Sequence, residues 1–137
     1  MRTQIALFAA FVALSAGSVG ADTRETALKN LARYQQYAGD PVDSFDMWEL
    51  YQWQTLGPDY LAVWAAVNKV YMLKVSQPCP RLEYANAIAV TSEMTRKVTR
   101  GFDFVNFDLQ HCQIVEIRPI DYKKMLDDDK AAAATTK

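Results

Sequence analysis

Residues 60–75 carry the sequence YLAVWAAVNKVYMLKV, which decides the fold class. Two runs rich in valine, tyrosine, leucine and tryptophan, 60–66 and 69–75, flank the dipeptide Val67-Asn68. A two-residue connection between such runs is typical of a β-hairpin. The stretch therefore predicts two antiparallel strands joined by a tight turn.

Strand patterns continue on both sides of this hairpin. Before it, residues 43–53 alternate with the period of a strand, and Gly57-Pro58-Asp59 marks a turn. After it, a short helix is predicted to start at Pro80, next to Cys79, and to end near Ala87. Three further strands are predicted over 88–91, over 98–107 with a bend at Gly101, and over 112–117, closed by Pro119.

These elements predict an α+β, mostly β fold. We expect a small antiparallel sheet or barrel of five to six strands, with an N-terminal helix and a short helix after Cys79. A barrel would remove exposed edges, but the sequence does not separate a barrel from an open sheet.

The N-terminus has the pattern of a secretory signal peptide, predicted over residues 1–21. Arg2 supplies a positive charge, residues 5–14 are an unbroken apolar run, and Val19-Gly20-Ala21 is a small-residue cleavage site. Because the apolar run is shorter than the roughly 20 residues that span a bilayer, no membrane association is expected after cleavage. The sequence therefore predicts a periplasmic or secreted protein.

Three segments are predicted after the cleavage site. Residues 22–39 form an N-terminal helix with an apolar stripe, and residues 40–121 form a single β-rich domain. Residues 122–137 contain three consecutive aspartates and an alanine run, so we expect a disordered tail, with a helical extension as the alternative.

Two cysteines, Cys79 and Cys112, indicate a disulfide. An even cysteine count in an exported chain favours pairing. The sequence contains no C-x-x-C redox motif. A metal site is also not indicated, because it would need more ligands than two cysteines and the single histidine, His111. No cofactor and no metal site are predicted, and the bond is expected to stabilise the β-rich domain.

Charge argues against two classes of partner. The net charge is −1 and becomes −2 when Arg2 leaves with the signal peptide. A chain without a basic excess is a poor match for nucleic acid or an anionic membrane. The oligomeric state is not predicted.

Catalytic patterns are weak, and no catalytic residue is assigned. His111 neighbours Cys112, so the expected disulfide would remove the thiol that a Cys–His pair needs. Asp103 lies between Phe102 and Phe104, and we interpret it as solvent-facing or as buried and bonded to the backbone or an arginine, in preference to a catalytic role.

The clearest indication of binding is an aromatic surplus over 43–53. Trp48 and Trp53 differ in parity, so one straight strand cannot bury both on one face, and a surface patch of Trp48, Tyr51 and Trp53 is predicted. The alternative is that the N-terminal helix covers the second face and these residues belong to the core, since small domains need the apolar area.

A longer set of motifs carries a family resemblance. The motifs are Pro41-Val42-x-Ser44-Phe45, Trp53-x-x-Leu56-Gly57, Val63-Trp64, Tyr71-Met72-Leu73, Cys79-Pro80-x-Leu82-x-x-Ala85-x-x-Ile88, Phe102-Asp103-x-Val105 and Cys112-x-Ile114-x-x-Ile117-Arg118-Pro119-x-Asp121. With them, residues 37–121 resemble a family of uncharacterised exported proteobacterial proteins, a domain of unknown function. The resemblance implies a Gram-negative periplasmic setting and a Cys79–Cys112 pair, supplies no activity, and is not expected to include the N-terminal helix or the acidic tail.

The sequence thus favours a non-catalytic exported module that binds a protein or another envelope component. Two alternatives stay open, a small hydrolase-like enzyme using carboxylates such as Asp103 and a structural accessory protein.

Overall fold

A computed structural model describes residues 19–92 and 96–135, with side chains from residue 24 onward in those ranges. Its elements are α1 (Val19–Gln36), β1 (Ser44–Asp46), β2 (Gln52–Thr55), β3 (Tyr60–Ala66), β4 (Lys69–Val75), a 3-10 helix (Leu82–Tyr84), β5 (Ala89–Val90), β6 (Lys97–Thr99), β7 (Phe104–Phe107), β8 (Gln110–Ile120) and α2 (Tyr122–Thr135). Most of the predicted signal peptide, residues 1–18, lies outside the described residues, and α1 begins at Val19.

The strands form one large sheet and one small one. Six strands pair antiparallel in the order β2-β3-β4-β8-β7-β5, and the sheet curls into a half-barrel. β1 and β6 form a separate antiparallel pair. The α+β, mostly β prediction is confirmed, and the sheet is open because its two edge strands, β2 and β5, do not pair with each other.

The hairpin predicted over residues 60–75 forms as expected. β3 and β4 pair from Tyr60↔Lys74 to Ala66↔Lys69, with residues 67 and 68 in the turn. β4 then pairs along β8 and β3 pairs with β2, so both strands of the hairpin lie in the interior of the six-stranded sheet. Because both faces of the sheet are covered, β3 is buried along nearly its whole length.

Side chains of alternate parity on the sheet form two hydrophobic cores. Leu61 and Val63 point into the larger core, which also contains Met47 and residues of the β1–β6 pair. Ala62 and Trp64 point into the second core, beneath the helices. The two cores explain why a narrow apolar stripe is enough for α1, since the helix covers only one face.

The predicted disulfide is present and lies in the larger core. Cys79 and Cys112 are bonded, their Cα atoms are 5.8 Å apart, and both residues are buried. This Cα separation is within the ordinary range for a disulfide.

Two of the predicted strands are each divided in the structure. Residues 43–53 form β1 and β2, because β1 pairs with β6 in the small sheet while β2 pairs with β3 in the large one. Residues 98–107 contribute to β6 and β7, with a turn at Gly101, whose φ is +83°. Local alternation cannot reveal such changes of partner.

Other predicted boundaries also shift. The helix after Cys79 is a single 3-10 turn, and predicted strand 88–91 is reduced to β5. β8 continues through Pro119, opposite Tyr71, so that proline does not close the strand.

The prediction of a disordered tail is wrong for residues 122–135, which form α2. Met125 is buried in the second core, and the ring of Tyr122 lies edge-on to Trp64 at 5.9 Å. Polar contacts with α1 and the residue that follows it add to this packing, because Arg33 of α1 pairs with Asp129 and Tyr37 donates to Asp128 at 2.6 Å. The helical alternative therefore holds because of contacts distant in sequence.

Candidate functional site

The loop 47–51 presents aromatic side chains from a fixed backbone. It connects β1 in the small sheet to β2 in the large one. Met47 is buried in the larger core and Leu50 packs against it, whereas Trp48, Glu49 and Tyr51 are exposed. The two inward residues therefore hold the loop while the others face solvent.

Backbone hydrogen bonds fix both ends of this loop. The Met47 N–H donates to the Arg96 carbonyl at 2.7 Å, beside the Asp46↔Lys97 pair of β1 and β6. The Tyr51 N–H donates to the Trp64 carbonyl at 3.0 Å, which joins the loop to β3. A loop held by two core side chains and two backbone bonds loses little further entropy on binding.

Trp48 is the most exposed tryptophan of the described chain, at 74 % of its full accessible surface. The guanidinium carbon of Arg96 lies 3.4 Å from the centroid of its ring, which is a cation–π stack. Arg96 has a left-handed backbone with φ of 69°, an uncommon conformation for a residue with a side chain. One face of the indole therefore contacts Arg96.

The other two predicted patch residues differ in position. Tyr51 is 58 % exposed and lies at the end of the same loop. Trp53 lies on β2 opposite Val63 and packs partly buried against the larger core. The structure thus leaves Trp48 and Tyr51 at the surface, and we define the aromatic patch as Trp48, Tyr51 and Arg96.

Arg96 is the residue of this patch that sequence reasoning did not identify. Its position follows from the pairing of β1 with β6, which brings together residues 46 and 97. No local motif carries that information, since a polar segment ending in arginine is typical of any surface turn.

Asp103 is a structural residue in this fold. It is completely buried, and its Oδ1 accepts a hydrogen bond from the Thr91 hydroxyl at 2.9 Å while its Oδ2 accepts one from the Thr99 N–H at 2.6 Å. The Thr91 hydroxyl oxygen in turn accepts from the Phe104 N–H at 2.8 Å. The carboxylate joins the turn after β6 to β5 and β7, in agreement with the interpretation of Asp103 as buried and bonded to the backbone.

His111 is exposed on β8, next to the disulfide. Its Nδ1 lies 2.8 Å from the Asn106 Oδ1 on β7, across the hairpin. Cys112 is bonded to Cys79, so the side chain beside His111 is not a thiol. Across the ranges 19–92 and 96–135, no three His, Cys, Asp or Glu side chains come together as metal ligands would.

Comparison with known proteins identifies a family and no specific relative. No curated protein and no solved structure matches the chain. Within the described part of the chain, no helix has the length and apolarity that crossing a membrane requires. A model of a protein family matches residues 1–136. The match therefore includes the N-terminal helix and the acidic tail, which the motif resemblance was expected to leave out. The chain belongs to a family of unknown function, DUF6491.

Proposed function

We propose that this chain is an exported, non-catalytic module that binds a protein or another envelope component through the aromatic patch. The observation that carries the proposal is the exposed Trp48 stacked on Arg96 in a loop anchored by Met47 and Leu50. Tryptophan, tyrosine and arginine are the residue types most enriched where binding energy concentrates.

The energetics of exposure support a binding role. A tryptophan side chain offers a large apolar surface, and most domains of this size bury it. The stack with Arg96 covers one face of the ring and leaves most of the side chain in water. A partner that covers Trp48 and Tyr51 would remove this surface from water at little cost in loop ordering.

Export is supported by the cysteines and the N-terminal sequence. The Cys79–Cys112 bond suits an oxidising compartment, because cytosolic thiols are kept reduced. The apolar run and small-residue site over residues 1–21 match the pattern of a secretory signal peptide.

Capture from a cell-envelope extract of the source organism tests the binding role. The wild-type chain and the variants Trp48→Ala, Tyr51→Ala and Phe102→Ala are immobilised at equal density, and captured components are quantified. Phe102 is the matched control, since it is exposed to 65 % on the turn between β6 and β7, away from the patch loop in sequence.

We expect both patch variants to lose at least about tenfold of one captured component, as hot-spot residues do, and Phe102→Ala to keep it. Equal capture by all four proteins, or capture of nothing by the wild type, would contradict the proposed function.

A further inference from the structure

Arg96 is the charged residue of the aromatic patch. It is exposed, and across the side chains that the structure describes its guanidinium takes part in none of the ion pairs. We propose that this guanidinium binds an acidic side chain of a partner protein, while Trp48 and Tyr51 pack on apolar residues beside that side chain. The inference rests on the proposed binding function and names the chemistry of the partner.

The stack on Trp48 sets the direction of the Arg96 donor groups. The guanidinium carbon lies 3.4 Å from the ring centroid, so close that the two planes are nearly parallel, because a tilted guanidinium would push a nitrogen into the ring. The N–H groups of a guanidinium lie in its plane, as a rigid fork that matches the two oxygens of a carboxylate. They therefore point sideways from the stack, where a carboxylate of a partner can meet them.

Two arginines flank β6, and they differ in what they contact. Arg100, just after the strand, is paired with Asp43 at 2.9 Å. Arg96, just before the strand, lies against an aromatic ring instead. Because the ring already restrains the guanidinium, less side-chain freedom is lost when the guanidinium binds a carboxylate. Arg96 is thus positioned in advance for a carboxylate supplied from outside the chain.

Charges near the patch favour a single carboxylate over a densely anionic partner. Glu49 is exposed directly after Trp48, and Asp46 lies opposite Lys97 in the β1–β6 pair. The whole chain carries a net charge of −1. These negative groups would repel a lipid surface rich in phosphates, whereas one carboxylate at Arg96 meets the opposite charge at short range.

The shape of the patch favours a protein partner over a small molecule. Small ligands bind in clefts that bury most of their surface. Clefts of about 430 and 580 Å³ lie beside α1, and none of the three patch residues lines either of them. The patch instead presents an exposed tryptophan, tyrosine and arginine, the residue types enriched in protein–protein interfaces. An acidic residue flanked by apolar ones would match both the charge and the apolar surface of the patch.

A double-mutant cycle between Arg96 and a selected peptide tests the inference. A phage-displayed library of random linear peptides is panned on the wild-type chain. The strongest binder is synthesised with its acidic residue and with the corresponding amide in its place, asparagine for aspartate or glutamine for glutamate. Affinities are measured for the wild type, Arg96→Gln and Lys97→Gln. Lys97 is the matched control, because it is the neighbouring exposed cation on β6.

We expect the selected peptides to share an acidic residue beside an apolar one. On the wild type and on Lys97→Gln, the amide peptide should bind at least about tenfold more weakly than the acidic peptide, because a charge-assisted contact is lost. On Arg96→Gln the two peptides should bind within about twofold of each other, because their difference depends on the guanidinium. The change from acid to amide leaves the protein unaltered, so an effect on folding cannot produce this result.

Several outcomes would overturn the inference. They are selected peptides without a common acidic residue, a library that yields no binder, and an equal acid-to-amide loss on the wild type and Arg96→Gln. Sedimentation with phosphatidylglycerol vesicles is a parallel measurement. Vesicle binding that Arg96→Gln abolishes, without coupling in the peptide cycle, would assign the guanidinium to lipid phosphate and also overturn the inference.

These outcomes are separate from those of the proposed function. Selected peptides that lack an acidic residue but lose affinity for Trp48→Ala would overturn carboxylate binding and leave binding by the patch intact. The capture experiment with the envelope extract decides the proposed function independently, because it requires no particular chemistry of the captured component.

Discussion

Trp48 and Trp64 are the same residue type in opposite environments. Trp64 is 5 % exposed on β3, with Tyr34 of α1 edge-on at 6.4 Å and Tyr122 of α2 edge-on at 5.9 Å. Trp48 lies in the loop 47–51, with the Arg96 guanidinium against its ring. Two helices cover one indole, and solvent surrounds most of the other.

The contrast shows how this small domain divides its aromatic residues. In the helix-covered core, aromatic rings join three elements that are distant in sequence. In the loop 47–51, Met47 and Leu50 pack against the larger core, whereas the Trp48 side chain is mostly exposed. We therefore expect the two tryptophans to respond differently to the same substitution.

Replacing Trp64 should have the largest effect on stability. Trp64→Ala leaves a cavity between the sheet and both helices, and such changes cost about 3–5 kcal/mol. Urea unfolding followed by circular dichroism measures the loss. A cost below about 1 kcal/mol would mean that the helices do not depend on this ring, and the contrast with Trp48 would fail.

Removing the disulfide tests the core that anchors the patch loop. Met47, Cys79 and Cys112 belong to the same core, and the bond closes a separation of 33 residues. On the chain-entropy model, the Cys79→Ser, Cys112→Ser double variant should lose about 3–4 kcal/mol of unfolding free energy, read from its urea midpoint. An unchanged midpoint would show that the larger core holds without the bond.

Local sequence patterns were sufficient for the centre of the fold. The β3–β4 hairpin has the strand period and a two-residue turn within 16 residues, and the cysteine count indicated the bond. Contacts between segments distant in sequence could not be predicted from these local patterns. The division of 43–53 depends on β6, and α2 depends on Met125 and Tyr122 reaching the second core.

The candidate site was likewise predicted from local patterns only in part, because its arrangement depends on contacts between distant segments. The parity of the aromatic residues in 43–53 indicated that they could not share one face of a strand. It did not determine whether Trp48 lies at the surface or in the core. The crossing from one sheet to the other exposes Trp48, and the position of Arg96 depends on a strand pairing roughly fifty residues away.

Alkaline pH should weaken the helix-covered core through Tyr34. Burial raises the pKa of Tyr34 above its ordinary value, with nearby Arg33 opposing this in part. Because the folded-state pKa exceeds the unfolded value of about 10, the neutral hydroxyl's contribution is present below pH 10 and is lost as pH rises through the folded-state pKa.

Comparing wild type with Tyr34→Phe between about pH 8 and pH 11 isolates this effect from other titrating groups. The unfolding free energy of the wild type should fall more steeply above pH 10 than that of the variant. Parallel curves would mean that Tyr34 ionises as freely in the folded state as in the unfolded chain.

The thermal midpoint and the partner capture of Trp48→Ala, measured on one preparation, test directly whether the aromatic patch binds a partner. Loss of the exposed ring and its Arg96 stack should cost no more than about 0.5–1 kcal/mol, so the midpoint should stay nearly unchanged while capture from the envelope extract falls at least about tenfold. A loss of about 3–5 kcal/mol, equal to that of a buried tryptophan, or a stable variant with wild-type capture would contradict the binding role of Trp48.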